Sequence, residues 1–254
     1  MNPARTLREK LNRRELVTGV LVIDHLWTDL VEIAARAGMD YVIVDMEHGV
    51  ATTEAVAEAC AAGRRMNFPV LIRPRSNDYF AIRHAIDLGP CGFLLACVES
   101  AADLDVVREA IYLPPRGRRR PGGPGNRWVA DYFGPTWQHT VEDHFIVLPQ
   151  IETRRGLVNL AEVANHELTT ALAVGPFDLA AELGVCGKMD APELQTALTT
   201  IRAAADAAGK TMWMIGGNAE RLARDGWRFL CFGDPTYILE AAFKNLVQQA
   251  ANNV

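Results

Sequence analysis

The chain has 254 residues, 49% of them hydrophobic and 22% charged, an ordinary globular composition with length for one large or two small domains and a sizeable core. Its formal net charge of -5 argues against a nucleic-acid partner, which usually meets a basic face. No apolar run reaches the roughly 18 to 20 residues that span a bilayer, and "MNPARTLREKLNRREL" is charged where a signal peptide is apolar, so the chain reads as cytoplasmic with no membrane partner.

In chain order, apolar runs rich in strand-forming residues occur at 18–24 (TGVLVID), 40–47 (DYVIVDME), 68–74 (FPVLIRP), 92–99 (GFLLACVE), 145–152 (FIVLPQIE), 170–178 (TALAVGPFD), 211–216 (TMWMIG) and 229–234 (FLCFGD). Segments of helical period lie between them, such as TDLVEIAARAG and APELQTALTTIRAAADAAGK. Several end at a glycine before the next strand, at Gly38, Gly63, Gly89, Gly209 and Gly226, the usual position just past a helix C-terminus. Continuous apolarity suits parallel strands buried on both faces. Eight strand–helix units predict a (β/α)8 TIM barrel forming a single domain over 1–254. The alternative is a doubly wound open sheet, which more often carries a Gly-rich phosphate loop, and none is present.

One connection, from Leu113 to His144, is too long for a bare barrel link and rich in Gly, Pro and Arg. Its Arg116, Arg118, Arg119, Arg120 and Arg127 have three readings: an acidic substrate, an acidic patch on another subunit, or solvent. The cysteines, Cys60, Cys91, Cys97, Cys186 and Cys231, are scattered singly without a CxxC pair, which favours reduced thiols over a structural zinc site.

Active sites of such barrels lie at the C-terminal ends of the strands, so the polar residues there carry the chemistry. The second strand ends in Asp45, Glu47 and His48, the third in Arg73, the fourth in Glu99, the fifth in Gln150 and Glu152, and the sixth in Asp178. Glu152 and Asp178, from adjacent strands, offer two oxygen ligands to a hard divalent cation. Asp178 has helix capping as a rival role, whereas Thr153 is a better cap than Glu152. Arg73 suits a carboxylate or enolate oxygen, or an ion pair with Asp45 or Glu47. Strand alternation points Glu47 away from its neighbours, into a supporting ion pair. His48 is placed to shuttle protons. None of the lysines, Lys10, Lys188, Lys210 and Lys244, lies inside or at the C-terminal end of a proposed strand, which argues against Schiff-base chemistry.

In order, the motifs EIAARAGMDYVIVDMEHG, VLIRPRSND, AIDLG, YLPPRGRR, PQIET and VGPFDLAAELG resemble the HpcH/HpaI aldolases, metal-dependent class II pyruvate aldolases, over nearly the whole chain. The resemblance implies a TIM barrel assembled as a hexamer of three dimers. It implies reversible cleavage of 4-hydroxy-2-oxo acids to pyruvate, or a related 2-oxo acid, and an aldehyde. It also implies Mg²⁺, Mn²⁺ or Co²⁺ held by Glu152 and Asp178 beside Gln150. His48 is then the base, acting with metal-bound water and oriented by Asp45 and by Asp87 from a neighbouring subunit. Arg73 stabilises the enolate, and the backbone of Gly175, Pro176 and Phe177 holds the substrate carboxylate.

Phe177 stands where the family has a small residue, which implies a reduced pocket. RGRRRPGG replaces a more apolar segment, which implies a more acidic or differently shaped acceptor. Asp24 and His25 add titratable groups after the first strand. The alternatives are a citrate-lyase-like or malyl-CoA-lyase-like enzyme, with the arginines on a CoA phosphate; an oxaloacetate decarboxylase resembling macrophomate synthase; and, outside enzymes, a protein that binds a 2-oxo acid or metal.

Overall fold

All eight apolar runs form strands, and each strand lies parallel to the next until the eighth returns to the first and closes a barrel. The computed structural model describes residues 1–27, 29–120, 127–128 and 137–252. A leading helix α1 (Asn2–Asn12) precedes β1 (Val17–Val22), α2 (Asp29–Arg36), β2 (Tyr41–Asp45), α3 (Thr53–Met66), β3 (Val70–Arg73), α4 (Tyr79–Asp87), β4 (Gly92–Leu95) and α5 (Ala101–Ile111). A short α6 (Trp137–Thr140) leads through a 3₁₀ turn at Glu142–His144 to β5 (Ile146–Ile151), α7 (Arg154–Val158) and α8 (Leu160–Asn165). The circuit ends with β6 (Ala171–Val174), α9 (Pro176–Glu182), α10 (Pro192–Ala207), β7 (Thr211–Ile215), α11 (Ala219–Arg224), β8 (Phe229–Cys231) and α12 (Pro235–Ala251). Among the described residues no helix is long and apolar enough to cross a membrane. In the long connection, 121–126 and 129–136 lie outside the described residues.

The helix ends follow local chemistry. Gly38, Gly89, Gly209 and Gly226 have positive φ, as their place after a helix requires. Gly63 does not end α3, which continues to Met66 and stops at Asn67 in the left-handed conformation. Gly63 instead permits close approach to β3, since an added Cβ would come within 2.6 Å of Val70 Cγ2.

Side chains alternate along each strand, and the inward set runs from the barrel interior to its mouth. On β2 it comprises Tyr41, Ile43 and Asp45, and on β3 Leu71 and Arg73. Gly19 on β1 lies opposite Tyr41, where an added Cβ would come within 2.6 Å of the phenol ring. That phenol stacks edge-on against Phe229 at 5.2 Å, donates to Leu230 O at 2.8 Å and accepts from Trp213 Nε1 at 2.8 Å. The lower core thus joins β2, β7 and β8 through one hydroxyl. At the opposite end from the mouth, α1 is anchored where strands begin: Arg8 Nη2 donates to Phe145 O at 2.6 Å and Lys10 pairs with Asp40 at 2.6 Å.

Tyr41→Phe keeps the ring but leaves the fully buried Trp213 indole N–H without its acceptor. It is expected to lower unfolding free energy by about 1–3 kcal/mol, measured by urea denaturation. A loss near zero would show that the hydroxyl does not tie the strands together.

Candidate active site

The strand alternation that fills the core delivers polar side chains at the mouth. Asp45 and Arg73 are in register on neighbouring strands. Arg73 Nε donates to Asp45 Oδ1 at 2.8 Å and Nη2 to Oδ2 at 2.5 Å, with Asp45 0% and Arg73 5% exposed. Burial opposes the charge on Arg73, but hydrogen bonds and attraction from Asp45, helped by Glu47 and Glu152, raise its pKa. The pair occupies Nε and Nη2, which leaves Nη1 for the cavity that Arg73 lines.

Asp45 therefore orients Arg73, and its Oδ1 also accepts the Glu47 N–H at 2.9 Å. No hydrogen bond joins Asp45 to His48 among the described residues. Glu47 turns toward the site: its Oε2 lies 3.2 Å from Arg73 Nε and 3.8 Å from His48 Nε2. His48 itself is exposed and lines both cavities of the mouth. Asp87 is not brought here by its own chain. It is the last residue of α4, at the opposite end of the barrel, with its carbonyl accepting from Arg127 Nε.

Glu152 is 6% exposed at the end of β5. Its Oε1 accepts the Cys97 N–H at 2.6 Å and its Oε2 accepts from Gln150 Nε2 at 2.7 Å. Cys97 adopts a left-handed φ of 51° to aim that N–H, a role with no signal in the local sequence. Burial raises the Glu152 pKa, repulsion from Asp178 and Glu47 adds to it, and the Cys97 bonds oppose it. Burial, with Glu152 beside it, pushes the Cys97 thiol up to about 12. Thr153 accepts from Gly156 N and is the cap of α7.

Asp178 is exposed in the first turn of α9 and makes no capping bond. A Cβ placed on Gly175 would collide with Glu152 Oε2 and lie 2.5 Å from Gln150 Nε2 and 3.3 Å from Asp178 Oδ2. Only glycine permits these three groups to converge there. Pro176 has no N–H, so the backbone donors of this turn are those of its neighbours, Phe177 among them.

The mouth forms two adjoining cavities of about 350 and about 560 Å³, sharing His48, Arg73 and Asp178. Gln150, Gly175, Pro176 and Phe177 line the first, and Glu47, Cys97 and Glu152 the second. Arg73 is the sole permanent cation among their described lining residues, against Glu47, Glu152, Asp178, Glu182 and Asp234, with Asp45 beside it. Such a surplus of carboxylates, with Gln150 Oε1 buried and unpartnered among them, fits a hard cation. No cage of three or more His, Cys, Asp or Glu exists among the described residues, so Glu152 and Asp178 would hold such an ion with water and substrate completing its shell.

Asp24 and His25 line neither cavity, nor do the described arginines of the long connection. Arg116 pairs with Asp143 at 2.5 Å, Arg118 pairs with Glu109, and Arg119 is buried. Of the described arginines of this connection, Arg116 and Arg118 are thus engaged with carboxylates of their own chain.

In ion-free protein Glu152 also carries a pH signature. Below the ordinary glutamate value of 4.5 the group is protonated in both folded and unfolded chains. As pH rises the unfolded chain releases its proton first, so stability is lost until pH passes the raised folded value. Glu152→Gln is expected to remove this fall, measured by denaturant melts from about pH 4 to about pH 8. An equal fall in both proteins would exclude Glu152 as its source.

A model of the HpcH/HpaI aldolase/citrate lyase family matches residues 25–236. The 4-hydroxy-2-oxo-heptane-1,7-dioate aldolase of Salmonella dublin is 30% identical over 216 residues, covering 82% of this chain and 80% of the relative. An HpcH/HpaI aldolase from Desulfitobacterium hafniense DCB-2 superposes with a TM-score of 0.86 at 24% identity, covering 96% of each chain. Macrophomate synthase superposes with a TM-score of 0.84 at 21% identity over 99% of this chain and 90% of its own. On the extent of the family match and the identity to the Salmonella aldolase, the chain belongs to the HpcH/HpaI aldolase/citrate lyase family.

Proposed function

We propose that the protein is a metal-dependent carbon–carbon lyase that reversibly cleaves 4-hydroxy-2-oxo acids to pyruvate, or a related 2-oxo acid, and an aldehyde. The observation that carries this reading is the convergence of Glu152, Asp178 and Gln150 around Gly175, within a mouth that also holds Arg73. A divalent cation, Mg²⁺, Mn²⁺ or Co²⁺, held by Glu152 and Asp178 would polarise the keto and carboxylate oxygens of the 2-oxo acid. Arg73, its plane set by Asp45, directs Nη1 at the oxygen on which enolate charge develops. The backbone amides flanking Pro176 receive the substrate carboxylate. His48, beside Glu47, takes the proton of the C4 hydroxyl as the C3–C4 bond breaks, and returns it in the addition direction.

The reading also includes assembly as a homo-oligomer, a hexamer of three dimers. Helix α12 buries none of its residues and exposes Ile238, Leu239, Phe243, Leu246 and Val247, an apolar face suited to a second copy of this chain. Asp87, far from its own mouth, is then available to orient His48 of a neighbour.

Chelation is expected to abolish turnover and a divalent cation to restore it, with no covalent adduct on borohydride treatment with pyruvate. Glu152→Ala and Asp178→Ala are expected to lose cation binding by calorimetry. His48→Ala is expected to retain it and lose about 10²–10⁴ in rate. Full turnover in excess chelator would defeat the metal reading, and loss of the ion in His48→Ala alone would defeat the role of His48. If Asp87 serves a neighbour's site, activity per chain falls as the assembly dissociates on dilution. Sedimentation alongside turnover measures this, and a fully active monomer excludes a shared site.

A further inference from the structure

The first cavity is divided by the order of strands around the barrel. Its polar residues come from β3, β5 and the β2 and β6 ends: Arg73, Gln150, His48 and Asp178. The opposite arc comes from β7, β8 and β1 and the start of α12, and it presents Trp213, Ile215, Phe232, Leu21, Ile23 and Tyr237. The carboxylate of that arc is Asp234, 3% exposed, beside the phenol of Tyr237. Asp234 is itself committed to structure: Oδ2 accepts the Ile23 N–H at 2.5 Å and Oδ1 the Thr236 N–H at 2.6 Å, tying the start of α12 to the end of β1.

Among the described lining residues this arc holds no cation. Arg73 is spent on Asp45 and on the 2-oxo acid half of the site. An adjoining cleft past Phe177 and Ile215 contains Arg221, which pairs with Asp190 at 2.7 Å and lies 3.8 Å from Asp225. Among the described lining residues, a second carboxylate on the acceptor would thus leave water for a largely apolar wall with Asp234 behind it and no cation to pair with, the Tyr237 hydroxyl being the one side-chain donor there not already bonded within the barrel. An alkyl or aryl chain there would shed water from its own surface and from the aromatic side chains.

We infer that this site takes aldehydes with an apolar alkyl or aryl substituent and discriminates against aldehydes that end in a carboxylate. This rests on the aldolase reading and narrows its substrate class. It separates the chain from the acceptor implied by the name of the Salmonella relative, whose seven-carbon diacid substrate carries a carboxylate at its far end.

The test uses full-length protein loaded with Mn²⁺ and pyruvate as donor. It compares 4-methylpentanal with 4-oxobutanoate, in which a carboxylate replaces an isopropyl group of nearly the same shape. The expected result is a kcat/KM at least about tenfold higher for 4-methylpentanal. Tyr237→Arg, which places a cation in the apolar arc at an exposed position, is expected to shrink or invert that ratio. Exchange of the pyruvate methyl protons in D₂O, followed by NMR without any aldehyde, reads the donor half alone. Exchange together with equal or better use of 4-oxobutanoate overturns the specificity and leaves the aldolase reading standing. Exchange with the expected preference but an unchanged ratio in Tyr237→Arg overturns the assignment to this arc. Absence of exchange removes the aldolase reading, and the specificity falls with it.

Discussion

The mouth of the barrel is organised by one buried pair, Asp45 with Arg73. Strand register places the two side by side, and the flanking backbone repeats the alignment, with Met46 N donating to Arg73 O at 2.8 Å. Neither charge is tolerable alone at that depth, since removing one partner of a buried pair strands the other at a cost of about 3–5 kcal/mol. Two parallel hydrogen bonds also fix the plane of the guanidinium, which a single bond to a lysine would not do. The remaining donor edge is thereby aimed before any substrate arrives, and its orientation requires no reorganisation during reaction.

Around that pair the charges do not balance. Glu152 is held between the Cys97 N–H and Gln150, where burial above all, with Asp178 and Glu47 nearby, pushes its pKa up. The protein keeps a partly desolvated carboxylate cluster that the chain alone does not neutralise, a feature expected where a ligand supplies the missing charge. Gly175 is what permits this crowding, because any side chain there would displace Glu152 from its place. Stability is sacrificed locally for a preformed site, while the apolar core beneath the mouth supplies it elsewhere.

Barrel closure separates two tasks. Every strand contributes its last inward residue to the mouth, so neighbouring strands form an arc of common character. Polar ends gather on β2 to β6, and apolar ends on β7, β8 and β1, across the cavity from them.

Much of this was legible in the chain. Strands and helices announce themselves by period and apolar content, so the barrel and the polar strand ends, Asp45, Arg73, Gln150, Glu152 and Asp178, followed from local pattern. Helix ends were legible where glycine adopts positive φ, and not at Gly63, where tight packing on Val70 rather than conformation requires it. The sequence by itself placed Asp45, Arg73, Gln150, Glu152 and Asp178 at the mouth, because alternation along a strand is a property of a few consecutive residues, whereas Glu47 turns toward Arg73 and Glu99 toward Arg155 only in the fold. Only the tertiary structure decided their partners: Arg73 and not His48 for Asp45, the Cys97 N–H for Glu152, and Asp143 and Glu109 for arginines with no obvious place. The pairings of Asp45 with Arg73 and of Glu152 with Cys97 join residues far apart in the chain, and they depend on strand register and on closure of the sheet, which no local window of sequence contains.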